Sequence, residues 1–198
     1  PEKVIGLILR GIFMMTKREL DWFYKEGGAS LFWPEKWKAF VEMLPQSEHK
    51  NIIKAYHKRL FHKSKLIREK FSISWLNWEN SLASMQSSLK INTPPINYAL
   101  AFSRIENHYF YNKGFFESEN QLLDNIDCIR HIPAVIIQGR YDIVCPAKTA
   151  WELHKKWPEA EFHLIKDAGH SVSEPGITSK LVEYTEKFYD LLKNQESK

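Results

Sequence analysis

The chain has 198 residues, of which 43% are apolar and 26% are charged, and its formal net charge is +4. These proportions are those of a globular protein and exclude an intrinsically disordered one. The basic residues are scattered rather than massed in one stretch, so we expect no nucleic-acid partner. Every apolar run is shorter than the roughly 20 residues that a membrane helix needs, so we expect no membrane association and no signal peptide.

The two cysteines, Cys128 and Cys145, are too few for a disulfide framework or a zinc site. They favour a reduced, cytoplasmic setting. No histidines stand at metal-ligand spacing, so we expect no metal and no cofactor. The chain opens on PEKVIGLIL without an initiating Met, which predicts that it is a piece of a longer protein.

The first predicted element is a buried strand, VIGLIL, at residues 4–9. Residues 14 to about 125 then show helical periodicity, many aromatics and no convincing strand. The segment SEHKNIIKAYHKRLF predicts a helix with Ser47 as its N-cap. Three further segments predict helices: PEKWKAFVEML, KLIREKFSISWLNWENSLASM and PPINYALAFSRIENHYFYNKG.

The last third of the chain predicts a strand–helix–strand–helix pattern. AVIIQ (134–138) and FHLI (162–165) are continuous apolar runs, typical of parallel strands that are covered on both faces. The helix PAKTAWELHKKW, with Pro146 in its first turn, separates them, and the amphipathic helix EPGITSKLVEYTEKFYDLLKN follows. The sequence therefore predicts an α/β fold with a helical block inserted between its strands as a lid.

An acid and a histidine follow two of the predicted strands, at whose carboxyl ends ligands collect. Asp142 precedes His170, and this is the order of the triad in α/β hydrolases, where the acid fixes the tautomer of the base. The alternative is a loop histidine and an aspartate that caps the next helix. Neither Ser30 nor Ser171 is a good candidate for the nucleophile. No strand leads into Ser30, and Ser171 is adjacent to His170, where it braces the turn.

Two glutamates stand among aromatic residues at helical spacing. Phe102, Glu106 and Phe110 fall on one helix face, and Trp75 lies four residues before Glu79. A carboxylate among aromatic rings is costly to keep ionised unless a cation pairs with it. Glu79 and Glu106 therefore fit a pocket for an ammonium group beside an apolar ring. The alternative is that each glutamate pairs with a lid Arg or Lys as scaffold.

Several ordered motifs resemble the prolyl aminopeptidase (proline iminopeptidase) family of α/β-hydrolase serine peptidases. They run over essentially the whole chain and are LRGIF, WFYKEGGASLFWPEKW, WLNWEN, AFSRIENHYF, QGRYDIVCP, WPEAEFHLIKDAGHS and EPG. After its W-x-x-W-E core the lid segment departs from the family pattern by becoming Ser-rich, in NSLASMQSS. The resemblance covers the C-terminal part of the family's sequence only.

The resemblance implies the C-terminal part of an α/β-hydrolase fold with a helical cap. A core strand would occupy 1–12, the cap 13–125 and the rest of the core 126–198. Asp142 would be the triad acid and His170 the general base. The nucleophilic serine would lie on a G-G-S-W-G elbow upstream, so we expect this chain alone to be inactive.

The resemblance also implies the substrate contacts. Glu79 and Glu106 would hold the free N-terminal amine of the substrate, with Arg10 close to them. Aromatic residues would form the apolar pocket for the proline ring: Phe13, Phe110 and, from the WFY segment, Tyr24 or Phe23.

We therefore expect a fragment of a cytoplasmic prolyl aminopeptidase, which when complete releases proline from peptides with a free N-terminal proline. One rival is an esterase or amidase of the same fold, and another is a non-catalytic binding module made from the lid. The strand at 4–9 would present an unpaired apolar edge. We expect that edge to pair with the missing N-terminal half of the hydrolase domain or with another copy of the chain.

Overall fold

A computed structural model describes residues 1–85 and 94–196. They form two compact units. The sheet unit contains residues 1–14, 83–85 and 120–196, and the helical unit contains residues 15–82 and 94–119. The domain boundaries proposed from the sequence stay a prediction. The Gln and Ser residues at 86–88, in the Ser-rich departure from the family pattern, lie outside the described residues.

The sheet unit is built on three parallel strands in the order β1 (Leu7–Arg10), β2 (Ala134–Gly139) and β3 (Glu161–Ile165). The strand predicted at 4–9 begins three residues later than expected. Its neighbour β2 begins only after Pro133, whose carbonyl accepts the N–H of Leu7, so earlier residues have no strand to pair with. All six residues of the central strand β2 are buried, as its apolar sequence predicts.

The regular elements of the helical unit, within its described residues, are all helical. Its α-helices are α1 (Lys17–Tyr24), α2 (Pro34–Val41), α3 (Ile52–Leu60), α4 (Lys65–Ala83), whose last residue belongs to the sheet unit, and α5 (Ile96–Tyr111). The prediction that Ser47 caps a helix was wrong. Residues Gln46–Asn51 form a 3₁₀ segment, and the Asn51 side chain caps α3 by accepting the Lys54 N–H at 3.0 Å.

Helices cover both faces of the sheet. The sheet unit contains a short α6 (Gln121–Asp124), then α7 (Ala147–Lys156) and α8 (Pro175–Glu196), with Pro146 as the N-cap of α7 rather than inside its first turn. Ile136 faces a core that includes Leu153 of α7, whereas Ile137 faces a core that includes Ile177 of α8. Across the described part of the chain, each helix is too short or too polar to cross a membrane.

A cluster of stacked aromatic rings forms the core of the helical unit. Phe40 and Tyr56 stack with their centroids 4.4 Å apart, and the Tyr56 hydroxyl donates to the Phe40 carbonyl at 2.7 Å. Trp75 and Trp78 of α4 are at most 1% exposed. Aromatic pairs of this kind stabilise a core by about 0.5–1.5 kcal/mol each beyond their burial, so α4 is held firmly in place.

Candidate active site

Asp142 lies just beyond the carboxyl end of the central strand. Two donors hold its buried carboxylate: the Cys145 N–H reaches Oδ1 at 2.7 Å, and Nε2 of Gln138 reaches Oδ2 at 2.9 Å. A carboxylate inside a protein needs such donors in place of water. The surroundings of Asp142 therefore stabilise its negative charge.

His170, which follows β3, meets this carboxylate. Its Nδ1 lies 2.9 Å from Oδ2 of Asp142. When Nδ1–H donates to the acid, Nε2 is the ring nitrogen that can exchange a proton with a reacting group. The histidine side chain is 20% exposed and the aspartate side chain 1%. The structure thus brings the two predicted residues together, with the acid behind the base.

The end of β1 supports the base. Gly11 has φ +57°, and a Cβ at this position would lie 2.8 Å from Cε1 of His170. Only glycine meets both demands, because other residues rarely adopt that φ and the ring leaves no room. The preceding Arg10 donates from Nη1 to the carbonyl oxygen of His170. Arg10 therefore holds the turn of the base, and its expected place near the glutamates stays a prediction.

The two serines considered from the sequence, Ser171 and Ser30, have structural contacts. The Ser171 N–H donates to the Ala83 carbonyl at 2.7 Å, and its hydroxyl lies 2.7 Å from that of Ser173. Ser30 is 4% exposed, in a 3₁₀ turn where its Oγ accepts the Gly27 N–H at 3.0 Å. Neither serine stands on the strand-to-helix turn that a nucleophile elbow requires.

The two predicted glutamates meet in the helical unit. Glu79 of α4 is 8% exposed, and its Oε1 accepts a hydrogen bond from the Tyr24 hydroxyl. Glu106 of α5 accepts the Trp75 indole N–H at Oε2, at 2.7 Å. The Glu106 carboxyl group is close enough to Glu79 to repel its negative charge.

Burial raises the pKa of Glu79 well above its ordinary 4.5, and repulsion from the Glu106 carboxylate raises it further. The hydrogen bond from Tyr24 acts in the opposite direction, because it stabilises the ionised form. Among the described residues of the helical unit, no Lys or Arg forms an ion pair with Glu79. Within the described part of this unit, Glu79 therefore does not form the scaffold ion pair that was the alternative. The carboxyl pair is suited to binding a cation.

Tyr24 places an aromatic ring beside this carboxyl pair. The ring stacks on Trp75 at 4.7 Å and 22°, and lies 5.6 Å from the ring of Phe110. Phe23, the other candidate in the WFY segment, is 5% exposed and packs against Trp78 at 5.6 Å. Of the two, Tyr24 is the one in contact with Glu79.

A cleft of about 550 Å³ opens in the helical unit and reaches the rings of Tyr24 and Phe110. Its rim carries charged side chains, among them Lys50 and Lys54. Clefts of this size take small ligands and short peptides. Phe13 belongs to the sheet unit, and its expected place in an apolar pocket stays a prediction.

Sequence reasoning missed Gln138 and Gly11, both of which contact the acid or the base. The signals were present: Gln138 is a polar residue at the end of an apolar strand, and Gly11 directly follows another strand. Within residues 1–85 and 94–196, no group of three or more His, Cys, Asp or Glu side chains is placed to hold a metal ion.

Comparison with known proteins supports the assignment of the fold. Residues 1–176 match a family model described as alpha/beta hydrolase fold. A proline iminopeptidase of Arabidopsis thaliana is 48% identical over 195 residues, which are 97% of this chain and 51% of that protein. A probable proline iminopeptidase of Leptolyngbya boryana is 46% identical over 190 residues, which are 95% of this chain and 59% of that protein.

A proline iminopeptidase of Xylella fastidiosa (strain 9a5c) is 44% identical over 191 residues, which are 95% of this chain and 60% of that protein. The chain thus spans 51% to 60% of the length of these three relatives. The matches confirm the resemblance found in the motifs, and with the parallel sheet they confirm the predicted fold class.

Proposed function

Because this chain belongs to the alpha/beta hydrolase fold family, we propose that it is the C-terminal part of a prolyl aminopeptidase, which releases an N-terminal proline from peptides. The observation that carries the proposal is the pair formed by the buried Glu79 and by Glu106 beside the ring of Tyr24. It supplies an anionic site next to an aromatic surface, and that is the chemistry of an N-terminal proline.

The amine of an N-terminal proline is a secondary ammonium group with two N–H bonds. One can point to each carboxylate of the pair, so both acceptors are satisfied at once. The bound cation also removes the repulsion between Glu79 and Glu106. A blocked amine offers no charge and no N–H, so it brings the two carboxyl groups neither a cation nor a donor. The site therefore rejects it.

The sheet unit would carry the proton transfers. A serine from the part of the protein that precedes this chain attacks the carbonyl of the proline residue, and Nε2 of His170 takes its proton. Asp142 stabilises the imidazolium that forms. His170 then returns the proton to the leaving amine, and a water molecule hydrolyses the acyl-enzyme by the same route. Without that serine the chain has no peptidase activity.

The sheet order places β1 at an edge, paired on one side with β2. We assign the other side to the missing N-terminal half of the hydrolase domain, or to a second copy of the chain when that half is absent. We also assign the protein to the cytoplasm, because both cysteines are free thiols and the exposed one, Cys128, would be oxidised in a compartment that forms disulfides.

The amine site is tested on the full-length protein with proline p-nitroanilide and its N-acetylated form. We expect hydrolysis of the free amine, and a rate at least about 100-fold lower with the blocked one. Glu106→Gln should lower kcat/KM for the free amine by about 10- to 150-fold, since it removes a charge-assisted hydrogen bond. Glu26→Gln, an exposed change in the same unit, is the control.

Two outcomes would replace the proposal. If Glu106→Gln keeps full activity and the N-acetylated substrate is hydrolysed equally well, the protein is an esterase or amidase for neutral substrates. If a full-length protein with an intact upstream serine hydrolyses none of these compounds, the chain is part of a binding module.

A further inference from the structure

Gln138 is a fully buried polar side chain in a strand of otherwise apolar residues. It lies in β2, where all six residues are buried, and is 1% exposed. A valine or isoleucine would suit this position in a parallel sheet better. A buried amide is tolerated only when its donors and its acceptor all find partners, so the contacts of this side chain indicate why it is there.

Those contacts fit an amide in one orientation only. Nε2 donates to Oδ2 of Asp142 and to the carbonyl of Cys145, both at 2.9 Å. Oε1 accepts the N–H of Ile12 at 3.2 Å. A third acceptor, the Gly139 carbonyl, lies 3.5 Å from Nε2. The surroundings thus present acceptors to Nε2 and one donor to Oε1, and a primary amide is the uncharged group that offers two N–H bonds and one carbonyl oxygen. An ionised carboxylate at this position would face these acceptors.

The partner of Gln138 on the acid is the oxygen that also faces the base. Oδ2 of Asp142 accepts from Gln138 and lies 2.9 Å from Nδ1 of His170, while Oδ1 accepts from the Cys145 N–H. Donors on both oxygens fix the rotation of the carboxyl group. The donor from Gln138 also takes up part of the negative charge on Oδ2, so it limits how strongly that oxygen attracts the imidazolium.

The same amide links the acid to the stretch that supports the base. Ile12, whose N–H it accepts, directly follows Gly11, which is packed against the His170 ring, and Arg10, which donates to the His170 carbonyl. The end of β1 therefore contacts the base directly and the acid through Gln138. A substitution at position 138 would therefore break the contact between the end of β1 and Asp142.

We propose that Gln138 is a positioning residue, which sets the orientation of the Asp142 carboxylate toward His170 and limits its pull on the imidazolium. The inference rests on the proposed function, because it gives the pair a role in hydrolysis. The charged groups in contact with His170 in the described sheet unit are Asp142 and the guanidinium of Arg10, and a substitution at position 138 replaces neither of them.

The test uses Gln138→Met in the full-length protein, which keeps the length of the side chain and removes the amide. We expect kcat for proline p-nitroanilide to fall by about 10- to 100-fold with KM within about threefold. Because Oδ2 then has no donor besides His170, the acidic limb of the kcat/KM profile should move to higher pH. NMR titration of the His170 ring protons should show the same displacement without any substrate.

Gln138→Glu, which is closer in shape, should lower kcat more than Gln138→Met above neutral pH, because it places a second carboxylate against Asp142. A role in packing alone would give the reverse order. Val135→Ala, on the opposite face of the same strand, controls for lost stability and should leave the pH profile unchanged.

An unchanged histidine titration in Gln138→Met would overturn the inference, and so would a fall in kcat with no displacement of the profile. The outcome is separable from that of the proposed function. If the wild-type protein does not hydrolyse proline substrates, the proposed function is wrong, whereas the His170 titration still decides the role of Gln138.

Discussion

Glu79→Gln tests the electrostatics of the carboxyl pair without assuming a substrate. Glutamine keeps the shape of the side chain and can still accept the Tyr24 hydrogen bond, but it carries no charge. The pKa of Glu79 is raised in the folded protein, first by burial and then by Glu106. The folded protein therefore keeps a proton that the unfolded chain releases near pH 4.5, so the stability of the wild type is full below pH 4.5 and falls as the pH rises through the raised pKa.

The size of the stability difference follows from the pH window between 4.5 and the raised pKa of Glu79. Each unit by which the folded pKa exceeds 4.5 removes about 1.4 kcal/mol of stability at a pH above both values. Glu79→Gln removes this loss, so the variant should become more stable than the wild type by about 1.4 kcal/mol per pH unit within the window. Its kcat/KM for a free-amine substrate should nevertheless fall by about 10- to 150-fold, because the ammonium loses one charged partner.

Urea unfolding of the full-length protein at pH steps between 5 and 8 measures this difference. Glu26→Gln, an exposed change in the same unit, should follow the wild type at every pH. Stability and activity should move in opposite directions in Glu79→Gln, as expected for a site that stores unfavourable electrostatics for its ligand. Parallel stability curves for wild type and Glu79→Gln would refute the reasoning, because Glu79 would then titrate alike in the folded and unfolded states.

Two further substitutions probe the neighbouring contacts. Tyr24→Phe removes the hydrogen bond that lowers the pKa of Glu79, so the loss of stability with rising pH should extend to higher pH, measured by the same urea titration. Gly11→Ala should cost about 1–2 kcal/mol for its left-handed backbone and also lower kcat, because its Cβ would lie 2.8 Å from the His170 ring. Gly27→Ala, with φ +96° and nothing within 4 Å, should lose stability but keep kcat; equal kcat in both variants would remove the role given to Gly11.

The sequence predicted that Asp142 and His170 meet because local signals determine their positions. Asp142 and His170 each follow a strand, and the carboxyl ends of parallel strands meet at one edge of the sheet. The glutamates were found for a similar reason, since aromatic residues at four-residue spacing define a helix face. Both signals lie within a few residues of the side chain concerned.

What the sequence did not predict depends on contacts between distant segments. Gln138 contacts Ile12, which lies 126 positions away in the chain, and no periodicity of the sequence predicts that contact. The choice between Phe23 and Tyr24 depends on which ring lies beside Glu79, because both rings pack on α4, and the sequence of α1 does not show this contact. The cap of α3 moved from Ser47 to Asn51 because a 3₁₀ segment occupies the intervening residues, and both residue types cap helices well.

The two carboxyl sites of this chain differ in how many donors they receive, and that difference separates their roles. Asp142 has donors from Cys145 and Gln138 in addition to the histidine, and these donors suit a carboxylate that stabilises a transient positive charge on His170. Glu79 has one donor, the Tyr24 hydroxyl, and a second acid beside it, and burial together with that acid raises its pKa, so an ammonium group would relieve the cost of its charge. A site of the first kind supports proton transfer whatever the substrate, whereas a site of the second kind selects substrates by charge. The peptidase that we propose needs both kinds of site, and Asp142 and Glu79 lie in different compact units of the chain.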